Sequence, residues 1–276
     1  MILEKIDLYQ YFGEKRRSEK AGFLRAYRHG KMTEMPERLR PAMLLIPGGA
    51  YLHVAEREGE PPALWYFQKG FDVFILEYDT APFCYPTQIL QAGMAMLYLR
   101  REAKNLGVRT DKIAALGFSA GGHLCGCISF LWDDQALFEK FGDECERIRP
   151  DAAILSYAVV TSDEKYTHKG SFENFCGRAV KAEEYSLEKK VRTSAPPCFL
   201  WATTEDACVP VENSVSLYMS LRRANAPAEL HIFEKGGHGL ADCSKETARE
   251  PMGPVAHAGH WMELSLEFLE GHGISF

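Results

Sequence analysis

The sequence predicts a doubly wound α/β fold, with a mainly parallel sheet covered by helices on both faces, and three observations carry that prediction. Short apolar runs of strand length recur along the chain, segments of helical period separate them, and the runs are apolar nearly throughout instead of alternating, as a sheet buried on both faces requires. The first run covers residues 42–46. A helical segment at 62–69 and a strand at 71–76 follow. In the long segment 86–106 the apolar residues Ile89, Leu90, Met94, Leu97 and Tyr98 recur at three- and four-residue steps, and Gly107 closes the helix. A strand at 112–116 leads into an apolar helix at 120–132, and a further strand lies at 152–156. The strand at 198–202 precedes a helix at 211–224, the strand at 229–233 comes next, and a helix at 261–270 ends the series. This alternation is that of βαβ units.

Two regions break the pattern. Residues 1–40 are mixed and charged, with an edge strand expected near 23–28. Residues 157–196 are polar and aromatic without a clear period, and are read as a small cap-like insertion over the C-terminal edge of the sheet, where ligands bind in open α/β folds. No internal repeat or flexible linker is apparent, so residues 1–276 are expected to form one domain. The net charge of −6, with basic residues dispersed apart from Lys15, Arg16 and Arg17, carries no nucleic-acid footprint. The longest apolar runs fall far short of the roughly 20 residues that span a bilayer. Eight cysteines without a CxxC, behind an N-terminus that does not read as a secretory leader, are expected to be free thiols in a reducing cytoplasm.

The strongest chemical signal is Gly117-Phe118-Ser119-Ala120-Gly121, a G-x-S-x-G placed between a strand and a helix. That context marks a nucleophile elbow, in which the chain turns sharply, small neighbours avoid collision and the serine hydroxyl points out of the turn. The helix that follows aims its N-terminal N–H groups where an oxyanion develops. The alternative is a glycine-rich turn with an incidental serine. A serine needs a base, and nine histidines compete for the role. His238, in Gly236-Gly237-His238-Gly239, follows the last strong strand on an irregular loop suited to reach Ser119. His231 within a strand and His123 on the elbow helix are constrained, and His257 with His260 reads as a surface or pocket-rim pair.

The acid that orients the imidazole is assigned to Asp206, in Thr204-Glu205-Asp206-Ala207, directly after the strand at 198–202. It is preferred to Glu205 for its short side chain at the bend; the alternative is a cap for the helix from 211. For the oxyanion hole, Pro47-Gly48-Gly49-Ala50 begins where an early strand ends, so the N–H groups of Gly48 and Gly49 are expected to join that of Ala120.

On Pro47-Gly-Gly-Ala-Tyr51, Gly117-Phe-Ser-Ala-Gly-Gly-His123, Asp206-Ala-Cys-Val-Pro-Val-Glu-Asn213 and Gly237-His-Gly239, the sequence resembles the α/β-hydrolase superfamily over about residues 40–270. Within it the likeness is to the esterases that include hormone-sensitive-lipase-like and acetylxylan-esterase-related proteins. The resemblance implies an α/β-hydrolase fold, with Ser119, Asp206 and His238 as the triad and Gly48, Gly49 and Ala120 as oxyanion donors. Where the lipase-like branch reads His-Gly-Gly-Gly, this chain has Pro47 and Ala50 in place of the His and the third Gly, which favours the acetylxylan-esterase-like branch. The Tyr-Arg pair common after the next strand is Tyr78-Asp79 here, and Gln91 stands for an Asp usual in the following helix, so an inner ion pair is expected to be missing.

The expected activity is that of a serine carboxylesterase acting on short acyl esters, acetyl esters of a sugar or xylo-oligosaccharide above all, through an acyl-enzyme and with neither metal nor organic cofactor. The partner is then a small-molecule ester, and a homodimer is compatible with the chain. Tyr157, Tyr166, Phe172, Phe175 and Tyr185 either wall a compact pocket or form a local core. An arylformamidase or small peptidase would use the same triad, and a hydrolase fold kept as a small-molecule binding protein is the rival from outside catalysis.

Overall fold

In the computed structural model, which describes residues 1–36, 38–250 and 253–276, eight strands form one sheet among the described residues. They are β1 (Ile2–Asp7), β2 (Phe23–Arg28), β3 (Arg40–Ile46), β4 (Asp72–Glu77), β5 (Val108–Phe118), β6 (Ala152–Ser156), β7 (Cys198–Thr203) and β8 (Ala228–Phe233), in the spatial order β1-β2-β4-β3-β5-β6-β7-β8. From β4 through β8 the pairing is parallel; β2 lies antiparallel between β1 and β4. The 23–28 strand is therefore not an edge. The margin is β1, whose Lys5 and Glu4 side chains pair with Glu77 and Arg28, a charged finish that discourages further strand addition.

The helices α1 (Leu8–Phe12), α2 (Glu60–Gln68), α3 (Thr87–Leu106), α4 (Ser119–Phe130), α5 (Gln135–Phe141), α6 (Lys169–Cys176), α7 (Glu212–Arg223) and α8 (Trp261–Gly271) cover both faces. Alternate residues of the central strands divide two cores, as a pleated strand requires. Leu44, Ile46, Phe74, Leu155 and Leu200 pack with α3 and α4 on one face, whereas Met43, Leu45, Val73, Ile154 and Trp201 pack with α2 and α8 on the other. The five expected helices correspond to α2, α3, α4, α7 and α8, each within two residues of its expected bounds.

Where the inner ion pair is expected to be missing, a hydrogen-bonded pair stands: buried Asp79 accepts from Gln91 Nε2 at 2.7 Å and its own N–H donates to Gln91 Oε1 at 2.8 Å. Residues 157–196 contain α6 and short 3-10 turns. Phe172, Phe175 and Tyr185 settle as a local core, with the Phe175 and Tyr185 rings 5.1 Å apart, whereas Tyr157 is buried in the core of the other face beside Trp201 and Tyr166 remains half-exposed.

Candidate active site

Parallel pairing brings the ends of β3, β5, β7 and β8 to one edge of the sheet, and each sequence-predicted residue follows one of those ends. Ser119 opens α4 directly after β5, with φ of 53°, a left-handed value that a non-glycine residue adopts only under constraint. The sharp turn depends on Gly121. A Cβ there would sit 2.1 Å from the Ile46 carbonyl oxygen and 2.3 Å from that of Pro47, both backbone atoms. The elbow helix is thus pressed against the loop that leaves β3.

The hydroxyl of Ser119 lies 2.7 Å from His238 Nε2, and His238 Nδ1 lies 2.7 Å from Asp206 Oδ2. Because the Asp206 carboxylate is an acceptor, Nδ1–H donates to it and Nε2 is left to accept from the serine. Asp206 has no exposed side-chain surface, while its other oxygen accepts the N–H groups of Cys208 and Val209, each at 2.9 Å. These bonds shape the bend but do not cap α7, whose N-cap is Val211 without a side-chain bond. Glu205 points elsewhere and takes Lys235 Nζ at 2.9 Å and the Gly236 N–H at 3.0 Å. With Thr203 Oγ1 donating to the Gly236 carbonyl at 2.6 Å, it ties the β7 loop to the His238 loop.

The loop after β3, expected to supply oxyanion donors, departs from expectation at one position. The N–H of Gly48 donates to Glu58 Oε2 at 2.8 Å, so it is already engaged within the protein. Gly48 is needed here for closeness, since a Cβ would meet the Phe118 carbonyl at 2.7 Å and Ser119 Cβ at 2.9 Å. Tyr78 donates to the Pro47 carbonyl at 2.7 Å and holds the loop from the other side.

The other histidines separate by their surroundings. His123 is fully enclosed: its Nε2–H donates to the Tyr185 carbonyl at 2.9 Å, so Nδ1 accepts from the Tyr51 hydroxyl at 2.8 Å. Burial lowers its pKa to about 4 from the ordinary 6.5. The stability that neutral His123 contributes is therefore fully present above pH 6.5 and is lost as pH falls toward about 4, by about 3 kcal/mol in all. Chemical denaturation at pH 7, 5 and 4 is expected to show His123→Gln less stable than wild type at pH 7, with a shallower loss into acid. His257 and His260 are exposed, their rings 5.7 Å apart, and His231 is bonded to Glu229 at 2.6 Å.

Two further groups lie near His238: His168, which sequence reasoning passes over, and Tyr157, which it names only as an aromatic of the 157–196 segment. His168 precedes α6, where its Nδ1 accepts the Ser171 N–H at 3.2 Å, which places the neutral ring's proton on Nε2. Burial lowers its pKa, the charge of His238 lowers it further and Asp206 opposes them, so its ring lies within electrostatic reach of those two residues. Tyr157 stands edge-on to the His238 ring, with centroids 5.1 Å apart, and burial raises its hydroxyl pKa well above 10. No motif marks either residue.

The BD-FAE family model matches residues 31–221 of the chain. The chain is similar to endo-1,4-beta-xylanase B of Butyrivibrio fibrisolvens, 36% identical over 75% of this chain and 33% of that protein. It is also similar to an acetylxylan esterase of Xylanibacter ruminicola, 28% identical over 72% of this chain and 41% of that one. The chain thus spans well under half the length of both relatives. Among solved structures, the acetyl ester-xyloside bifunctional hydrolase of Caldicellulosiruptor lactoaceticus superposes with a TM-score of 0.83 at 30% identity, covering 99% of this chain and 97% of that one.

Proposed function

The chain belongs to the BD-FAE family, and from that premise we propose that it is a serine carboxylesterase that removes short acyl groups, acetyl above all, from the hydroxyls of sugars or xylo-oligosaccharides. The observation that carries the reading is the unbroken chain of contact from the Ser119 hydroxyl through His238 to Asp206, at 2.7 Å and 2.7 Å. Ser119 Oγ attacks the ester carbonyl as His238 Nε2 takes its proton, and the carbonyl oxygen, now negative, accepts the N–H groups of Ala120 and Gly49. The tetrahedral adduct expels the sugar hydroxyl, to which His238 returns the proton. Water then attacks the acyl-enzyme by the same route, frees the carboxylate product and restores Ser119. Asp206 holds Nδ1–H throughout and stabilises the imidazolium formed in each half-reaction.

Acetyl specificity is favoured by two similarities, to an acetylxylan esterase and to an acetyl ester-xyloside hydrolase. The eight cysteines, all free thiols, favour action in the cytoplasm. A panel of nitrophenyl esters from acetate to octanoate, together with acetylated xylo-oligosaccharides and a matched amide, tests the proposal. The kcat/KM for acetate is expected to exceed that for octanoate by about tenfold or more. A preference for octanoate would remove the acetyl assignment, and turnover of the amide alone would replace esterase with amidase.

A further inference from the structure

A carboxylate with no part in the reaction as written lies between the oxyanion loop and the His238 loop. Glu58 is 2% exposed. One of its oxygens accepts the Gly48 N–H at 2.8 Å, and the other accepts the Tyr157 hydroxyl at 2.9 Å. That same hydroxyl accepts the N–H of Ala241, three residues beyond His238, at 2.9 Å. The preceding residue, Arg57, donates to the carbonyls of Gly239 and Thr247. A single 3-10 turn, Glu56–Glu58, therefore reaches the loop behind the peptide donors and both flanks of the loop that carries the base.

We propose that Glu58 is a positioning residue, whose two carboxylate oxygens fix the oxyanion loop, at Gly48, and the His238 loop, through Tyr157 and Ala241, in one register around Ser119. The proposal rests on the serine-esterase reading. Both groups facing the carboxylate are donors, and only an acceptor with two free oxygens satisfies them together. A glutamine of the same shape offers one oxygen and one NH2: if the oxygen keeps the Gly48 N–H, the NH2 meets the Tyr157 oxygen only as a donor, which reverses that link and leaves the hydroxyl proton without its acceptor. Burial makes the failure costly, since no water replaces the lost partner. A displacement of about 1 Å between reacting groups can cost on the order of a hundredfold in rate, so loosening either loop acts on the chemical step before it acts on substrate binding.

The test compares Glu58→Gln, Tyr157→Phe and the double variant with wild type in steady-state hydrolysis of nitrophenyl acetate, alongside amide hydrogen exchange over residues 47–53 and 238–243. Each single variant is expected to lower kcat by about tenfold to a hundredfold with KM within about twofold. Exchange should quicken in both segments of Glu58→Gln, and the double variant should lose little beyond the worse single one, as members of one chain of contacts do. Should Glu58→Gln not fold, Tyr157→Phe still decides, because it keeps the ring packed on His238 and removes only the hydroxyl. Retention of kcat within about twofold in either single variant, or losses that multiply in the double, overturns the proposal. If instead wild type turns over no ester, or Ser119→Ala matches it, the esterase reading is what falls. Unchanged exchange in Glu58→Gln then overturns the positioning role on its own.

Discussion

Replacing Ser119 by alanine is expected to lower kcat for nitrophenyl acetate by about four orders of magnitude or more, while the melting temperature stays within a few degrees of wild type. The size of the effect follows from what the hydroxyl touches. Among the described residues its one side-chain hydrogen bond is to His238 Nε2, at 2.7 Å. The residue is small and the turn around it is held by Gly121 packed on the Ile46 and Pro47 carbonyls, so the loss of one oxygen leaves the elbow in place. The remaining rate then comes from the peptide donors and from binding. Steady-state kinetics and a thermal melt on the same preparation check both halves of the expectation. A variant that kept a tenth of the wild-type rate would remove Ser119 from the reaction.

The second large effect belongs to Asp206→Asn, for which kcat is expected to fall by about 10⁴-fold with KM little changed. Asparagine fits the site, and its oxygen can still accept the N–H groups of Cys208 and Val209 that define the bend. Its NH2 group then faces His238 Nδ1. Two donors cannot share that contact, so the ring is driven to the tautomer with its proton on Nε2, and it meets the Ser119 hydroxyl with a hydrogen where a lone pair is needed. Geometry survives while the direction of proton transfer is reversed. Glu205→Gln provides the contrast: Glu205 bonds Lys235 and the Gly236 N–H but not the imidazole, and its replacement is expected to leave kcat within a few-fold of wild type in the same assay.

The parts of this molecule that can be read from its sequence are those where one physical demand dominates. Central strands such as Ala152–Ser156 are buried on both faces and are apolar at all positions but the last, so they stand out from any background. Ser119, Asp206 and His238 each follow a strand end within a few residues, and parallel order alone draws them to one edge. The β1 strand is hidden because an exposed margin tolerates Glu4 and Lys5, and α1 because five residues are too few to show a period. Residues 157–196 yield no pattern because their order comes from long-range aromatic packing around Tyr51, Tyr85 and His123. The oxyanion loop is the instructive departure. Its glycines are visible, but which N–H is free depends on Glu58, ten residues away, whose carboxylate claims that of Gly48.

The left-handed backbone at Ser119 stores roughly 1–3 kcal/mol that the surrounding packing must hold in place. That tension is set once, when the chain folds, so in the proposed reaction each cycle would begin from an alcohol already aimed and no reacting molecule would have to bend the turn afresh. It also divides the routes by which the protein can be made more robust. Gains sought in the outer helices or the charged margin leave the reaction alone, whereas gains obtained by relaxing this one turn dismantle the aim itself.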